Sequence, residues 1–247
     1  MTNPIRGNSR HAMVLDGVGF DVSGTVILKP LTLAVLNRGI TGLVGQNGSG
    51  KSTLLRILAR QQPPSRGSIA FEGRPLQAWP EREFARKVAY LPQHTPLAAG
   101  LTVRELVELG RYPWHGALGR FSHTDREKVD EALALTSTDM FADRFVDTLS
   151  GGERFLASLA LALALSDIAS GSAGRLDCLF LDEGFSSLDG EALEGAIAAV
   201  ERMADHGRLV AVITHLPGVA ERLGAAIHVS KDPSGASHVV DRAELLV

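Results

Sequence analysis

Gly45-Gln46-Asn47-Gly48-Ser49-Gly50-Lys51-Ser52 fits the pattern G-x-x-x-x-G-K-[ST], a loop suited to holding phosphate. Its glycines permit turns closed to other residues and let backbone N–H groups approach phosphate oxygens. An apolar run, Ile40-Thr41-Gly42-Leu43-Val44, precedes the loop, and a helical pattern from Thr53 to Arg60 follows it. The start of that helix adds a positive dipole end. In such a loop Lys51 would neutralise the β and γ phosphates and Ser52 would hold Mg²⁺. Gly45, Asn47, Gly48, Ser49, Gly50 and Thr53 complete the expected cradle. Alone, this loop leaves kinases, GTPases and helicases open.

Outward from the loop, short β-rich runs broken by Gly and Pro predict strands at 13–20, 25–36, 40–45, 68–73 and 87–91. From Thr102 to Met140 the spacing turns helical. The helix after Ser150 is apolar almost all round and is expected deep in the core. Leu176 to Leu181 is a continuous apolar run ending in Asp182-Glu183, which suits a buried parallel strand. A helix at 190–206, a strand at 208–214 and a helix at 216–223 complete the pattern, with a Ser/Gly/Ala-rich loop at 166–174. Strands alternating with helices imply an α/β fold on a parallel sheet.

The 247 residues suffice for one large domain, taken as 11–247 after a flexible terminus at 1–10. A net charge of −3 provides no global basic field and argues against a nucleic-acid surface. The single cysteine, Cys178, excludes an internal disulfide and a cysteine-based zinc site. Residues 1–10 contain no apolar signal core, and Phe155 to Leu165 falls short of the ~20 residues that span a bilayer. A cytoplasmic location is therefore expected, with any membrane role coming through a partner subunit.

Leu149-Ser150-Gly151-Gly152-Glu153 resembles the signature of the ATP-binding-cassette (ABC) family, and the resemblance runs from about residue 12 to 240. It implies a P-loop NTPase with a parallel-sheet core, an antiparallel β subdomain and a helical subdomain at about 94–165. It further implies ATP and Mg²⁺ as cofactors and a homodimer in which the signature of one copy closes over the nucleotide of the other. Ser150, Gly151 and Gly152 would then meet the γ-phosphate, with a helix dipole behind them. Cys178 to Glu183 matches the Walker B pattern, with Asp182 on Mg²⁺ and Glu183 as general base. Gln93 matches the glutamine that senses Mg²⁺ and the attacking water. Ser187-Leu188-Asp189 matches the loop that addresses the opposite subunit, and His215 the switch histidine on γ-phosphate. Near the position of the adenine-stacking aromatic stands Val22, with Phe20 on the same face by strand alternation, so the base contact is expected to be apolar.

Up to the signature the chain resembles the ATPase subunit of ferric-hydroxamate siderophore importers, through Arg60 to Gly67, Phe84 to Gln93 and Leu109 to Phe121. That resemblance implies a membrane permease docked on the helical lobe, and a peripheral position at the inner face of the cell membrane. After the signature, Arg154 to Asp167, Leu181 to Asp189, and Leu209 to His215 with Val219 to Leu223 look like the C-terminal head of SMC-like exonuclease ATPases. Importers usually carry Gln-Arg where Phe155-Leu156 stand, and Pro-Thr where Gly184-Phe185 stand. A hybrid of two families is therefore expected. The leading function is the energising subunit of an iron–siderophore importer. The alternatives are an exonuclease-type ATPase head and an ATP-binding hybrid without a working partner. The exonuclease reading is weakened because the interval from Lys51 to Ser150 holds no long coiled coil and no Cys-x-x-Cys hook.

Overall fold

The computed structural model describes residues 11–93, 100–115, 120–165, 176–205, 207–214, 225–232 and 235–241. In chain order the elements are β1 (His11–Val22), β2 (Thr25–Leu36), β3 (Gly39–Val44), α1 (Lys51–Leu58), β4 (Arg66–Phe71), β5 (Arg74–Pro75), α2 (Glu81–Lys87), β6 (Val88–Leu91), α3 (Val103–Glu108), α4 (His123–Leu135), α5 (Gly151–Leu165), β7 (Cys178–Asp182), α6 (Gly190–Asp205), β8 (Leu209–Ile213), β9 (Ala225–Lys231) and β10 (Ser237–Asp241).

All the strands join one ten-stranded sheet in the order β5-β4-β1-β2-β10-β9-β3-β8-β7-β6. From β9 to β6 every neighbouring pair is parallel. On the other side, β1, β2, β4 and β5 pair antiparallel. The hairpin of β9 and β10 joins these regions, with Ser237 of β10 pairing with Leu28 of β2. The antiparallel strands thus extend the parallel core instead of forming a second sheet.

Side-chain alternation sorts the sheet's residues into two cores. Cys178 and Phe180 of β7, with Leu209, Ala211 and Ile213 of β8, pack with α1, β1 and β2. Leu179 and Leu181 of β7, with Val210 and Val212 of β8, pack with α3, α4, α5 and α6. Both faces of β7 and β8 are therefore buried, which explains their unbroken apolar sequence. Each fully buried Leu here is worth about 1.5–3 kcal/mol over leaving it in water. Helix α5 buries Leu156, Leu159 and Leu163, as its all-round apolar character predicts.

Several expectations need correction. The run from 102 to 140 is two α-helices separated by a 3-10 segment, Leu109–Trp114, which contains Pro113 and so interrupts the helical ladder. Helix α2 lies in a stretch the strand and helix patterns left unassigned. Its signals are charge placement, with Glu81 and Glu83 in the first turn and Arg86 and Lys87 in the last. β9 and β10 were also unassigned. The expected helix at 216–223 and His215 lie outside the described residues, as do 94–99, 116–119 and the whole 166–174 loop.

The helical lobe closes around a buried pair. Arg111 Nε donates to Asp125 Oδ1 at 2.9 Å, and both residues are buried. Arg111 also donates to the Ala164 carbonyl on α5. Asp125 accepts from the Ser122 backbone N–H and hydroxyl in a capping box at the start of α4. Burial alone would raise the Asp125 pKa, but hydrogen bonds from Ser122, Arg111 and His115 outweigh it and hold the carboxyl well below the usual range.

Candidate nucleotide site

The loop between β3 and α1 rims a cavity of about 370 Å³ lined by Ile27, Asn47 to Thr53, Gln93 and Glu183. That volume falls within the range of small-molecule sites. The loop is pressed against the β9–β10 hairpin. A Cβ on Gly45, whose φ is 151°, would run into the Val229 carbonyl, so no other residue fits there without moving that strand.

Lys51 begins α1 and is only 4% exposed. Its Nζ donates to the carbonyls of Gly45 at 2.8 Å and Gln46 at 2.9 Å, which satisfies a buried ammonium inside the loop. Burial lowers its pKa, while the nearby Glu183 and Asp182 carboxylates pull in the opposite direction. Ser49 Oγ is buried and has no hydrogen-bond partner among the described residues. An orphaned hydroxyl inside a glycine loop fits an anionic ligand that would satisfy it.

One residue along the helix, Ser52 Oγ donates to Asp182 Oδ1 at 2.7 Å across to the end of β7. The Tyr90 hydroxyl donates to Asp182 Oδ2 at 3.0 Å. Strand pairing accounts for the Tyr90 contact: β6 pairs in register with β7, Tyr90 opposite Phe180, and Asp182 shares Phe180's face. A hydroxyl and a carboxylate side by side are hard oxygen donors. Among the described residues no group of three or more acidic, Cys or His side chains could hold a metal by itself. Few protein ligands, with the rest from water and phosphate, is how Mg²⁺ binds.

Gln93 Nε2 donates to Glu183 Oε2 at 2.5 Å, although the two residues stand 90 positions apart. Glu183 has φ of 63°, a left-handed backbone rarely taken by a non-glycine residue. Such strain persists only where the surroundings impose it, and it concentrates at functional sites. The fold thus brings Lys51, Ser52, Gln93 and Glu183 to the cavity wall, with the buried Asp182 hydrogen-bonded to Ser52.

Other expected site residues lie elsewhere. Val22 is 49% exposed where β1 turns into β2, and it is not among the residues lining the cavity. Ile27 of β2 supplies the apolar wall instead. β1 carries register shifts between Val18 and Phe20 and between Phe20 and Asp21. Ser150 is exposed and caps α5: its Oγ accepts from Glu153 N–H at 3.2 Å, and its own N–H donates to Glu153 Oε2 at 2.7 Å. Asp189 is also exposed and accepts from the Ala192 N–H at the start of α6. Neither Asp189 nor Ser150, Gly151 or Gly152 lines the cavity of its own chain.

The sequence profile of the ABC transporter family matches residues 28–169, more than half of the chain. The hemin import ATP-binding protein HmuV of Pseudomonas entomophila is 38% identical over 227 residues, covering 92% of this chain and 85% of that protein. The probable siderophore transport system ATP-binding protein YusV of Bacillus subtilis is 43% identical over 164 residues, covering 66% of this chain. That match spans 56% of the Bacillus protein, little more than half its length. Among solved structures, a dimeric bacterial ABC transporter cassette, MJ0796, superposes with a TM-score of 0.75 at 23% identity, covering 93% of this chain and 99% of that one. An alignment covering 92% of the chain cannot stop at the signature. The importer-type similarity therefore continues past Glu153, and the expected division into two families gains no support.

Proposed function

We propose, from the premise that this chain belongs to the ABC transporter family and is an ATPase of that family, that two copies sandwich two ATP molecules and power the import of an iron chelate of the siderophore or hemin class. The observation that carries this reading is the cavity end where Lys51, the Ser52–Asp182 pair and the Gln93–Glu183 pair converge. Ser150, Gly151 and Gly152 open a helix on the surface, away from their own cavity, which suits them to the nucleotide of a second copy. His215 remains a proposed contact to the γ-phosphate, and Asp189 a proposed contact across that interface.

In this mechanism Lys51 exchanges its two carbonyl partners for phosphate oxygens, so a charge already desolvated is offered to the nucleotide. Ser52 and Asp182 would hold Mg²⁺, with Tyr90 fixing the second carboxylate oxygen of Asp182. The metal, when bound, neutralises charge developing on the transferred phosphoryl group. Glu183 accepts the proton of the attacking water, and Gln93 orients the carboxylate through its amide. Ile27 gives the nucleotide an apolar contact.

Permease docking is assigned to the 3-10 segment Leu109–Trp114, where Leu109 and Tyr112 are exposed. The segment is held rigidly: Arg82 and Arg86 both donate to the Pro113 carbonyl, and Trp114 Nε1 donates to the Leu165 carbonyl. Among the described residues no helix is long and apolar enough to cross a membrane, so attachment at the inner face runs through that permease. The test is Glu183→Gln with Mg-ATP: turnover falls by about 10²–10⁴ and dimers accumulate in size-exclusion chromatography. A variant that stays monomeric at saturating ATP refutes the sandwich. Co-purification with a siderophore- or hemin-type permease tests the import assignment separately.

A further inference from the structure

Gly184 follows the strained Glu183 and has φ of 110°. A Cβ there would run into the Cδ2–Cε2 edge of the Phe155 ring, on the second turn of α5. Phe155 also lies against Phe185, with ring centroids 5.1 Å apart and planes tilted by 59°. Phe185 is 2% exposed, so this side of the contact is anchored in the core. One turn earlier on α5, a Cβ on Gly152 would come within 2.7 Å of the Ser187 carbonyl. Ser187 in turn donates through its hydroxyl to the Gly184 carbonyl at 2.7 Å. The helix that begins with Ser150 is therefore packed, without intervening side-chain slack, on the backbone that sets the direction of Glu183.

We propose that Phe155 is a positioning residue: its ring, seated on Gly184, transmits movement of the α5 N-terminus to Glu183 and so couples the two ATP sites of the dimer. This rests on the composite-site reading, in which α5 of one copy meets its partner's nucleotide while Glu183 serves its own. Closure of one site then pushes on the base of the other through a rigid aromatic contact. Glycine has no side chain to turn aside, and a ring packed between Gly184 and the buried Phe185 has little room to yield. Glu183 φ is the quantity being controlled, and Gln93 holds the far end of the same side chain.

The experiment is steady-state ATPase kinetics on the full chain with Phe155→Ala, Phe155→Tyr, Gly184→Ala and the Ala/Ala double variant. Phe155→Ala should lower kcat on the order of ten- to a hundredfold, the scale of a misdirected catalytic group. It should also flatten the ATP dependence toward non-cooperative, while equilibrium ATP affinity stays within about twofold. Phe155→Tyr, which keeps the ring, should restore both kcat and cooperativity. Gly184→Ala should be costly with Phe155 present and clearly less so in the Phe155→Ala background, because the obstructing ring is gone. Unchanged kcat and cooperativity in Phe155→Ala overturn the proposal. So does loss of ATP affinity in step with kcat, or an equal effect of Gly184→Ala in both backgrounds. A wild-type protein that neither dimerises nor hydrolyses ATP would instead be a failure of the composite-site reading.

Discussion

Lys51→Met separates what the lysine does for the fold from what it does for the ligand. The ammonium is 4% exposed and makes two hydrogen bonds to backbone carbonyls, at 2.8 and 2.9 Å. Hydrogen bonds to a charged group contribute roughly 1.5–3 kcal/mol each, so losing both removes about 3–6 kcal/mol. Burying an ammonium costs several kcal/mol, and replacing it with an apolar side chain of similar length recovers that cost. The two nearly cancel. The melting temperature of the ligand-free protein should therefore move by no more than about 2–4 °C, the shift expected for ~1 kcal/mol in a chain of this size. Binding has no such compensation, because methionine offers phosphate nothing. Truncating one partner of a buried charge pair costs about 2–5 kcal/mol, or roughly 30- to 5,000-fold in Kd. Isothermal titration with Mg-ATP reads the affinity, and thermal melting with and without ATP reads the stability. A Kd within about threefold of wild type, less than ~1 kcal/mol, would refute the phosphate role. A collapse of the ligand-free melting temperature would show that the loop carbonyls, and not a ligand, are what the lysine serves.

Two further substitutions probe the helix caps and the lobe. Ser150→Arg should abolish ATPase activity while leaving single-subunit ATP binding intact, and should cost the fold only a lost cap, ~1 kcal/mol; retained turnover would remove Ser150 from the composite site. Asp125→Ala leaves the buried Arg111 guanidinium without its carboxylate and should destabilise the protein by about 3–5 kcal/mol in urea unfolding. Because the folded Asp125 pKa is depressed, its contribution is present above the unfolded value of ~3.9 and is lost as pH falls below it. Wild type should therefore lose stability in acid more steeply than Asp125→Ala, and parallel curves would contradict the pairing.

How much was legible follows from the range of the interactions involved. The phosphate loop, Asp182-Glu183 at a strand end and Ser150 ahead of an apolar helix are local patterns, readable because each chemistry needs particular residues at fixed spacing. Strands β7 and β8 were readable because burial on both faces demands unbroken apolar runs. Ile27 was not readable as a cavity residue, because only the packing of the phosphate loop beside β2 brings it to the wall. Helix α2 was passed over because it is short and buries only Phe84, leaving almost no periodicity to detect. The break inside 102–140 was signalled by Gly110 and Pro113 but outweighed by the helical spacing on either side.

The order of loop, signature and acidic strand end determined the chemistry and family of this protein without any coordinates, since those residues act through their own functional groups. Three things needed the tertiary structure: the Ser52–Asp182 and Gln93–Glu183 pairings, the Tyr90 contact, and the seating of Phe155 on Gly184. Each joins positions remote in sequence, and only strand order and helix packing bring them within hydrogen-bond or van der Waals distance. Their energies fall off within a few ångströms, so no reading along the chain could decide them.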